Sequence, residues 1–301
     1  MPDRLANMNL MDLIARFPED ASCREVLEDI RWPNGVTCPR CESQYIRRTE
    51  SRAQYDCGSC GYQFSVTSGT VLHDTHLPLR KWLIATYLMM EAKKGVSANQ
   101  LKRTLAVSYK TAWYLCHRIR SAMEDAYPYK LKGIIEVDET YVGGKVRGKG
   151  HGYRGNKAIV VGAIQRKGKI VLQVVPGNDR KTLHTFIHEN TDPETEAIYT
   201  DEWAAYKGIG DADTVHESVN HKAEEWTRGA VHTNGVEGVW SLLKRSVVGS
   251  YHQLSLKHLD AYLDELEWRF NNRENPFLFR DTLKKLMLSE KMEYKELIAE
   301  G

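Results

Sequence analysis

Two Cys-x-x-Cys pairs, Cys38-Pro-Arg-Cys41 and Cys57-Gly-Ser-Cys60, restrict the start of this chain more tightly than any other feature. Each pair makes a tight turn that brings two thiolates to one metal, and the fifteen residues between the pairs suit a short hairpin at about 44–55. The spacing predicts a ribbon over residues 36–66 with a structural Zn²⁺ on Cys38, Cys41, Cys57 and Cys60. Its last strand should carry Tyr62, Phe64 and Val66. Two disulfides or reactive thiols are the competing reading, disfavoured in a reducing compartment. Cys23 and Cys116 fall in amphipathic helical stretches and are expected in the core.

At 301 residues the chain has room for two or three domains, and 42% hydrophobic with 27% charged residues is ordinary for a globular protein. No apolar run approaches a membrane span and nothing resembles a signal peptide, so a cytoplasmic protein without a membrane partner is expected. The formal charge of +2 hides an asymmetry. From Arg80 to Arg120 nine Lys/Arg stand against one acid, Glu91, a local balance of +8 (9 − 1). Acids collect instead at Asp260, Asp264, Glu265 and Glu267. A basic middle suits phosphate binding, or only a solvated face.

Apolar spacing predicts helices within residues 1–30, through Leu10, Leu13, Ile14 and Phe17 and again around Val26, Leu27 and Ile30. Another helix starts near Leu79. Ser97 reads as an N-cap for a helix over 98–105, and a longer helix over 109–122 carries Lys110, Trp113, Tyr114, His117, Arg118 and Arg120. Short helix, turn and longer basic helix form a helix-turn-helix pattern, which makes Lys110 and Arg118 candidate DNA contacts. A helical linker is the alternative.

From residue 130 the pattern turns to strands: 133–142, 157–165 and 169–175, then a helix over 182–190, strands at 196–200 and 213–219, and a helix from Asn234. Helical tails follow at 255–271 and 281–299. This order predicts an α/β chain whose core is a ribonuclease H-like mixed sheet, preceded by the ribbon and the helical region. The expected division is residues 1–75 for the first helices and ribbon, 76–128 for the helix-turn-helix, 129–280 for the core and 281–301 for a helical tail.

Asp138 lies inside the apolar strand Ile134-Ile135-Glu136-Val137-Asp138, where a carboxylate is costly unless paired or bound to metal. Glu136 should share its face and Glu139 point to the other. Asp201 ends a short strand, where a side chain reaches an open crevice. Should the strands be neighbours, two carboxylates meet, and like charges so close call for a cation such as Mg²⁺. Glu237 follows Asp201 by 36 positions (237 − 201) and precedes Lys244 by 7 (244 − 237), which puts Glu237 and Lys244 on one helical face. Asp…Asp…Glu with Lys seven residues on suits enzymes that use paired divalent metals to break and join DNA. A structural explanation competes: Asn234 as N-cap and Glu237 as the third helical residue make a capping box.

Other groups fit supporting roles. The segment 143–156 carries Lys145, Arg147, Lys149 and Arg154 among six glycines, suited to phosphates or to a hairpin tip. Lys244-Arg245 is a second basic pair. His221 and His232 flank the segment before Glu237, as proton or phosphate groups or as structural side chains. Trp203, Trp226 and Trp240 are candidates for stacking on unpaired bases, with core packing favoured for Trp240.

The segments VHTNGVEGVWSLLKRSVVGSYH, EVDETYVGGK and YTDEWAAY, with the four-cysteine ribbon, resemble the bacterial insertion-sequence transposases related to the eukaryotic Merlin elements. The likeness runs from about residue 20 to 275. It implies a DDE-type transposase acting on the terminal inverted repeats of its own element. It also implies Asp138 and Asp201 as the first two ligands of a pair of Mg²⁺ or Mn²⁺ ions, and Lys244 as a DNA-contacting lysine. The third ligand is Glu237 or Asn234, and the seven-residue step to Lys244 favours Glu237. Element ends, target DNA and further copies of the chain are the implied partners, at the bacterial nucleoid. A domesticated or inactive transposase acting as a zinc-dependent DNA-binding protein is the alternative. Another ribonuclease H-like nuclease, a resolvase or an RNA–DNA hybrid nuclease, is a third.

Overall fold

Nine consecutive residues, Ile134–Val142, form the central strand on which the larger sheet is built. The computed structural model describes residues 5–124, 129–143, 157–210, 214–220, 223–252 and 254–299. They fall into two compact units, Met1–Glu124 with Glu274–Gly301, and Asp125–Arg273.

The first unit opens with α1 (Leu10–Arg16), capped by Asn9, whose side chain accepts from the Met11 and Asp12 amides, and with α2 (Asp20–Arg31). The ribbon follows as β1 (Ile46–Thr49), β2 (Gln54–Cys57) and β3 (Gln63–Phe64), an antiparallel sheet in that order. Its last strand is shorter than the alternation predicts, since only Phe64 of the three expected residues lies within it. Trp32 packs edge-on against Tyr55 at 5.4 Å, and Tyr55 stacks on Phe64 at 5.6 Å, giving the ribbon a small aromatic core.

Three helices come next: α3 (Leu79–Glu91), α4 (Ala98–Leu105) and α5 (Tyr109–Ser121). Ser97 and Ser108 cap the last two through the Gln100 and Thr111 amides, which explains why both helix starts were readable. The start of α3 has no local cap. Asp20 supplies one, accepting from the Leu79 and Arg80 amides at 3.1 Å each. Cys23 and Cys116 are buried here, as expected.

The second unit holds a five-stranded sheet of β4 (Ile134–Val142), β5 (Ala158–Gln165), β6 (Ile170–Val175), β7 (Ala197–Asp201) and β8 (Val215–Val219). The spatial order is β6-β5-β4-β7-β8. The first three strands run antiparallel to one another, while β7 and β8 run parallel to β4. An antiparallel trio extended by two parallel strands on the side of its first member is the ribonuclease H-like topology expected from the element order. One face buries Ile135, Val137 and Ile198 against Leu183, Phe186 and Ile187 of α6 (Arg180–Asn190). The other buries Val160, Ile164 and Leu172 against α7 (Asn234–Ser246) and α8 (Leu259–Asn271). Each such side chain contributes roughly 1.5–3 kcal/mol of burial. α8 also covers the β6 edge, where Asn271 and Glu267 accept from the Ile170 and Leu172 amides.

The chain ends with α9 (Leu278–Leu288) and α10 (Tyr294–Ile298), which cluster with the first unit. There Phe279 meets Tyr87 edge-on at 6.0 Å. No helix among the described residues is long and apolar enough to cross a membrane.

Candidate active site

Strand alternation sets the site. Odd positions of β4, Ile135 and Val137, enter the core beneath α6, while Ile134 and Val142 face the opposite way. Asp138 is therefore on the α7 face. In the parallel pair, Ile134 stands opposite Ala197 and Glu136 opposite Tyr199, an offset of 63 (197 − 134). The same offset puts Asp138 level with Asp201 (201 − 138 = 63) on adjacent strands. Ala197 and Tyr199 pack with Ile134, so Asp201, two residues on, lies on the face that Asp138 occupies.

The electrostatics fit that placement. Burial, with the charges of Glu139 and Asp201 added, pushes the Asp138 carboxyl up to about 7. Glu139, on the opposite face, is also raised by burial, although Tyr206 donates to its Oε2 at 2.6 Å and Asn178 to its Oε1 at 3.4 Å. Burial and the neighbouring Glu139 lift the Tyr206 hydroxyl well above its usual value. Asp201 accepts from the Trp203 amide at 2.9 Å, which folds the chain back as it leaves β7.

α7 brings the remaining groups. Asp138, Glu139 and Thr140 line an open cleft of about 670 Å³ with Glu237, Trp240, Ser241, Lys244, Arg245 and Val248. Glu237, Ser241, Lys244 and Arg245 are exposed along one side of the helix, and Val236, Val239, Leu242 and Leu243 are buried along the other. Asp201 and Asn234 do not line this cleft.

The expected capping box is absent. Thr233 is the N-cap and gives no side-chain cap, and its hydroxyl donates to Glu237 Oε1 at 3.1 Å. The cap comes from β4: Glu136 Oε2 accepts from the Gly235 amide at 2.6 Å and the Val236 amide at 3.3 Å. The other oxygen of Glu136 accepts from Arg166 Nε at 2.8 Å and lies 3.2 Å from His232 Nδ1. This carboxylate is 1% exposed, so its charge is balanced by a guanidinium and a helix N-terminus. Sequence reasoning put Glu136 on the right face and missed its partner, which lies 99 residues away.

Residues 130–271 match the family described as the ISXO2-like transposase domain, and residues 18–63 match the transposase zinc-ribbon domain. A transposase-like protein of Haemophilus influenzae is 31% identical over 108 residues, 36% of this chain and 85% of the relative. This chain belongs to the IS1595 family of transposases. A protein in the transposable element ISH50 of Halobacterium salinarum is 28% identical over 275 residues, covering 85% of the transposase and 92% of the relative. Among solved structures, the magnesium complex of the HTLV-2 integrase catalytic core is 14% identical with a TM-score of 0.28, covering 47% of the transposase and 86% of that chain. The Mos1 strand transfer complex is 9% identical with a TM-score of 0.30, covering 68% and 74%.

The zinc-ribbon span of the transposase contains all four clustered cysteines. Cys38, Cys41, Cys57 and Cys60 place their sulfurs within 4.8 Å of one another, with Cys38 3.7 Å from Cys60 and Cys41 3.6 Å from Cys57. Amide donation from Cys60 holds the Cys57 thiol down at about 6, in the range of a ready metal ligand. Among the described residues no other His, Cys, Asp or Glu set of three or more is gathered this tightly.

The structure parts from expectation at several candidate DNA groups. Arg118 is 5% exposed, donates to the His73 carbonyl at 2.7 Å, and lies over the Trp82 and Tyr114 rings at 5.0 and 5.1 Å. A cation so enclosed cannot reach a phosphate, so Arg118, expected at DNA, serves the packing of the helices instead. Lys110 is exposed, with its Nζ 4.3 Å from the Tyr294 ring. Trp240 is 4% exposed and belongs to the core, unlike Trp203 and Trp226, which are 46% and 59% exposed. Lys145, Arg147, Lys149, Arg154 and His221 lie outside the described residues.

Proposed function

We propose that this transposase cleaves and joins DNA at a divalent-metal site formed by Asp138, Asp201 and Glu237. The observation that carries the reading is the register of β4 on β7, whose last pair, Glu136 with Tyr199, leaves Asp138 and Asp201 each two residues further on, with burial and then the charges of Glu139 and Asp201 raising Asp138. Carboxylates held together without a matching cation are destabilised, and hard oxygen donors suit Mg²⁺ or Mn²⁺. Two ions served by different carboxylates do not require all three acids on one ion. Held by these acids, such ions would supply Lewis-acid activation of the attacking oxygen and charge stabilisation of the leaving one.

The chain's own groups do the rest. Glu237 is exposed to the cleft that Asp138 also lines, which supports Glu237 as the third acid. Lys244 and Arg245 both stand about two turns beyond it, exposed to DNA phosphates in the same cleft. Water cleaves a phosphodiester at the element end, and the freed 3′-hydroxyl then attacks target DNA. The substrate is the element's terminal inverted repeats, bound by a homo-oligomer that joins two ends. The zinc-loaded ribbon and the α4–α5 pair add DNA contacts, with Lys110 as one of them.

Asp138→Ala and Asp201→Ala should each abolish Mg²⁺-dependent cleavage and strand transfer on repeat-bearing DNA while leaving end binding intact. Cleavage at the wild-type rate by either variant would remove the site assignment.

A further inference from the structure

Trp240 is neither a plain core residue nor a stacking platform. Its indole Nε1 donates to Asp138 Oδ2 at 2.9 Å, linking residues 102 positions apart. The Cζ2–Cη2 edge of the ring lies against Gly162, which is the register partner of Asp138 on β5. A Cβ at Gly162 would come within 2.5 Å of Trp240 Cη2 and 2.8 Å of Cζ2, so any larger residue there would force the ring to shift. The indole therefore has one seat, directly beside the acid, and glycine at 162 creates it.

The helix that carries Trp240 is fixed as well. Glu136, two residues before Asp138 on the same face, grips the first amides of α7. A Cβ at Gly235 would stand 2.7 Å from the gripping oxygen, so a larger residue there would push the carboxylate off the helix amides. One strand thus holds the helix at its N-terminus and again at Trp240, one and a half turns along.

We propose that Trp240 is a positioning residue for Asp138: its N–H occupies one carboxylate oxygen and leaves the other presented to a cation. The inference rests on the metal-site reading above. An indole N–H is a donor only and cannot compete as a metal ligand, so it fixes the carboxylate without displacing an ion. Groups that orient a ligand in this way typically change metal affinity or activity by about 10–100-fold when removed. The dry ring also excludes water from one side of the acid.

The test uses the full-length, zinc-loaded chain. Trp240→Phe keeps an aromatic ring over Gly162 and deletes the donor. Calorimetric titration with Mn²⁺ should show binding weakened roughly 10-fold or more, with the melting profile little changed. Should Trp240→Phe fail to fold, benzothienylalanine at 240 keeps the indole shape and replaces N–H by sulfur, and the same weakening is expected. Separately, the indole ¹H–¹⁵N resonance that Trp240→Phe deletes should move in Asp138→Ala without any metal present. An unmoved resonance, or wild-type Mn²⁺ affinity in either replacement, overturns the proposal. A resonance that moves in Asp138→Ala, in a protein whose wild type binds no Mn²⁺, would instead sink the metal-site reading and the positioning role with it.

Discussion

α5 and α7 each carry paired basic residues near the C-terminal end of a thirteen-residue helix, and they use them in opposite ways. In α5 the guanidiniums of Arg118 and Arg120 are turned inward, 5% and 2% exposed. In α7 Lys244 and Arg245 are exposed on the rim of a cleft that contains Asp138 and Glu237. Local charge was the stronger signal in the α5 region, at +8, yet the structure leaves the better-placed cations on α7. What separates them is the neighbourhood. Arg118 has two aromatic faces and a carbonyl within reach, which offset the loss of water around its charge, and burial lowers its affinity for its proton. Lys244 and Arg245 have no such enclosure and stay solvated.

The largest expected effect tests the α7 half of this contrast. Replacing both Lys244 and Arg245 with Ala should lower cleavage of element-end DNA by about 100-fold or more, as expected for groups that position the reacting phosphate. The dependence of log affinity on log salt should become shallower by about two. The melting temperature should not change. An unchanged salt slope would show that these cations do not meet DNA.

Arg118→Ala addresses the other half and should fail in the opposite way. Losing the stacking and the bond to the His73 carbonyl should cost roughly 2–3 kcal/mol in denaturant unfolding. Among molecules that stay folded, the salt slope of DNA binding should match wild type. A slope reduced by about one, with full stability, would return Arg118 to the DNA surface and erase the difference between the helices.

The same logic explains what could be read in advance. Strand period two put Asp138 with Glu136 and against Glu139, and Ser97 and Ser108 marked two helix starts, because each signal is local. The four thiols were legible because their spacing is dictated by one metal. Glu136 capping α7, Asp20 capping α3 and Trp240 bonded to Asp138 were not legible. Each joins elements 59 or more residues apart, and for one of them a local decoy was available. For α7 that decoy was the Asn234–Glu237 capping box. Arg118 was misjudged for a related reason: a helix pattern records that a residue is charged, not that Trp82 waits across from it.

Acids extend the contrast between enclosed and solvated charge. In the metal-free protein Asp138 holds its proton up to about 7, whereas the unfolded chain releases it near 4. Between those values the folded state carries the extra proton, so stability should fall as pH rises through that window and level off above it. The loss should be about 4 kcal/mol at most, three pH units at about 1.4 kcal/mol each. Asp138→Asn should flatten most of the slope, and saturating Mg²⁺ should reverse it, both readable from urea midpoints at stepped pH. A slope that survives Asp138→Asn intact would assign the effect to Glu139, which burial raises in the same direction.

Lys110 should give the smallest change, and it stands between the two classes. Its residue is exposed like Lys244, yet its ammonium lies 4.3 Å from the Tyr294 ring, in a small hollow where Arg118 is also found. Tyr294 meets Tyr114 edge-on at 5.3 Å, and Tyr114 donates to the Met292 carbonyl at 2.6 Å, so the ring is well fixed. An exposed cation over an aromatic face contributes about 0.5–1 kcal/mol, small enough for a phosphate to draw the ammonium away. Lys110→Ala should therefore cost no more than that in stability and reduce the salt slope by about one. Tyr294→Leu, which frees the ammonium while filling the space, should leave the slope intact and tighten DNA binding slightly. If both variants leave binding untouched, Lys110 belongs with Arg118 among the cations committed to the fold, and α5 has no basic DNA contact among the residues assigned to it.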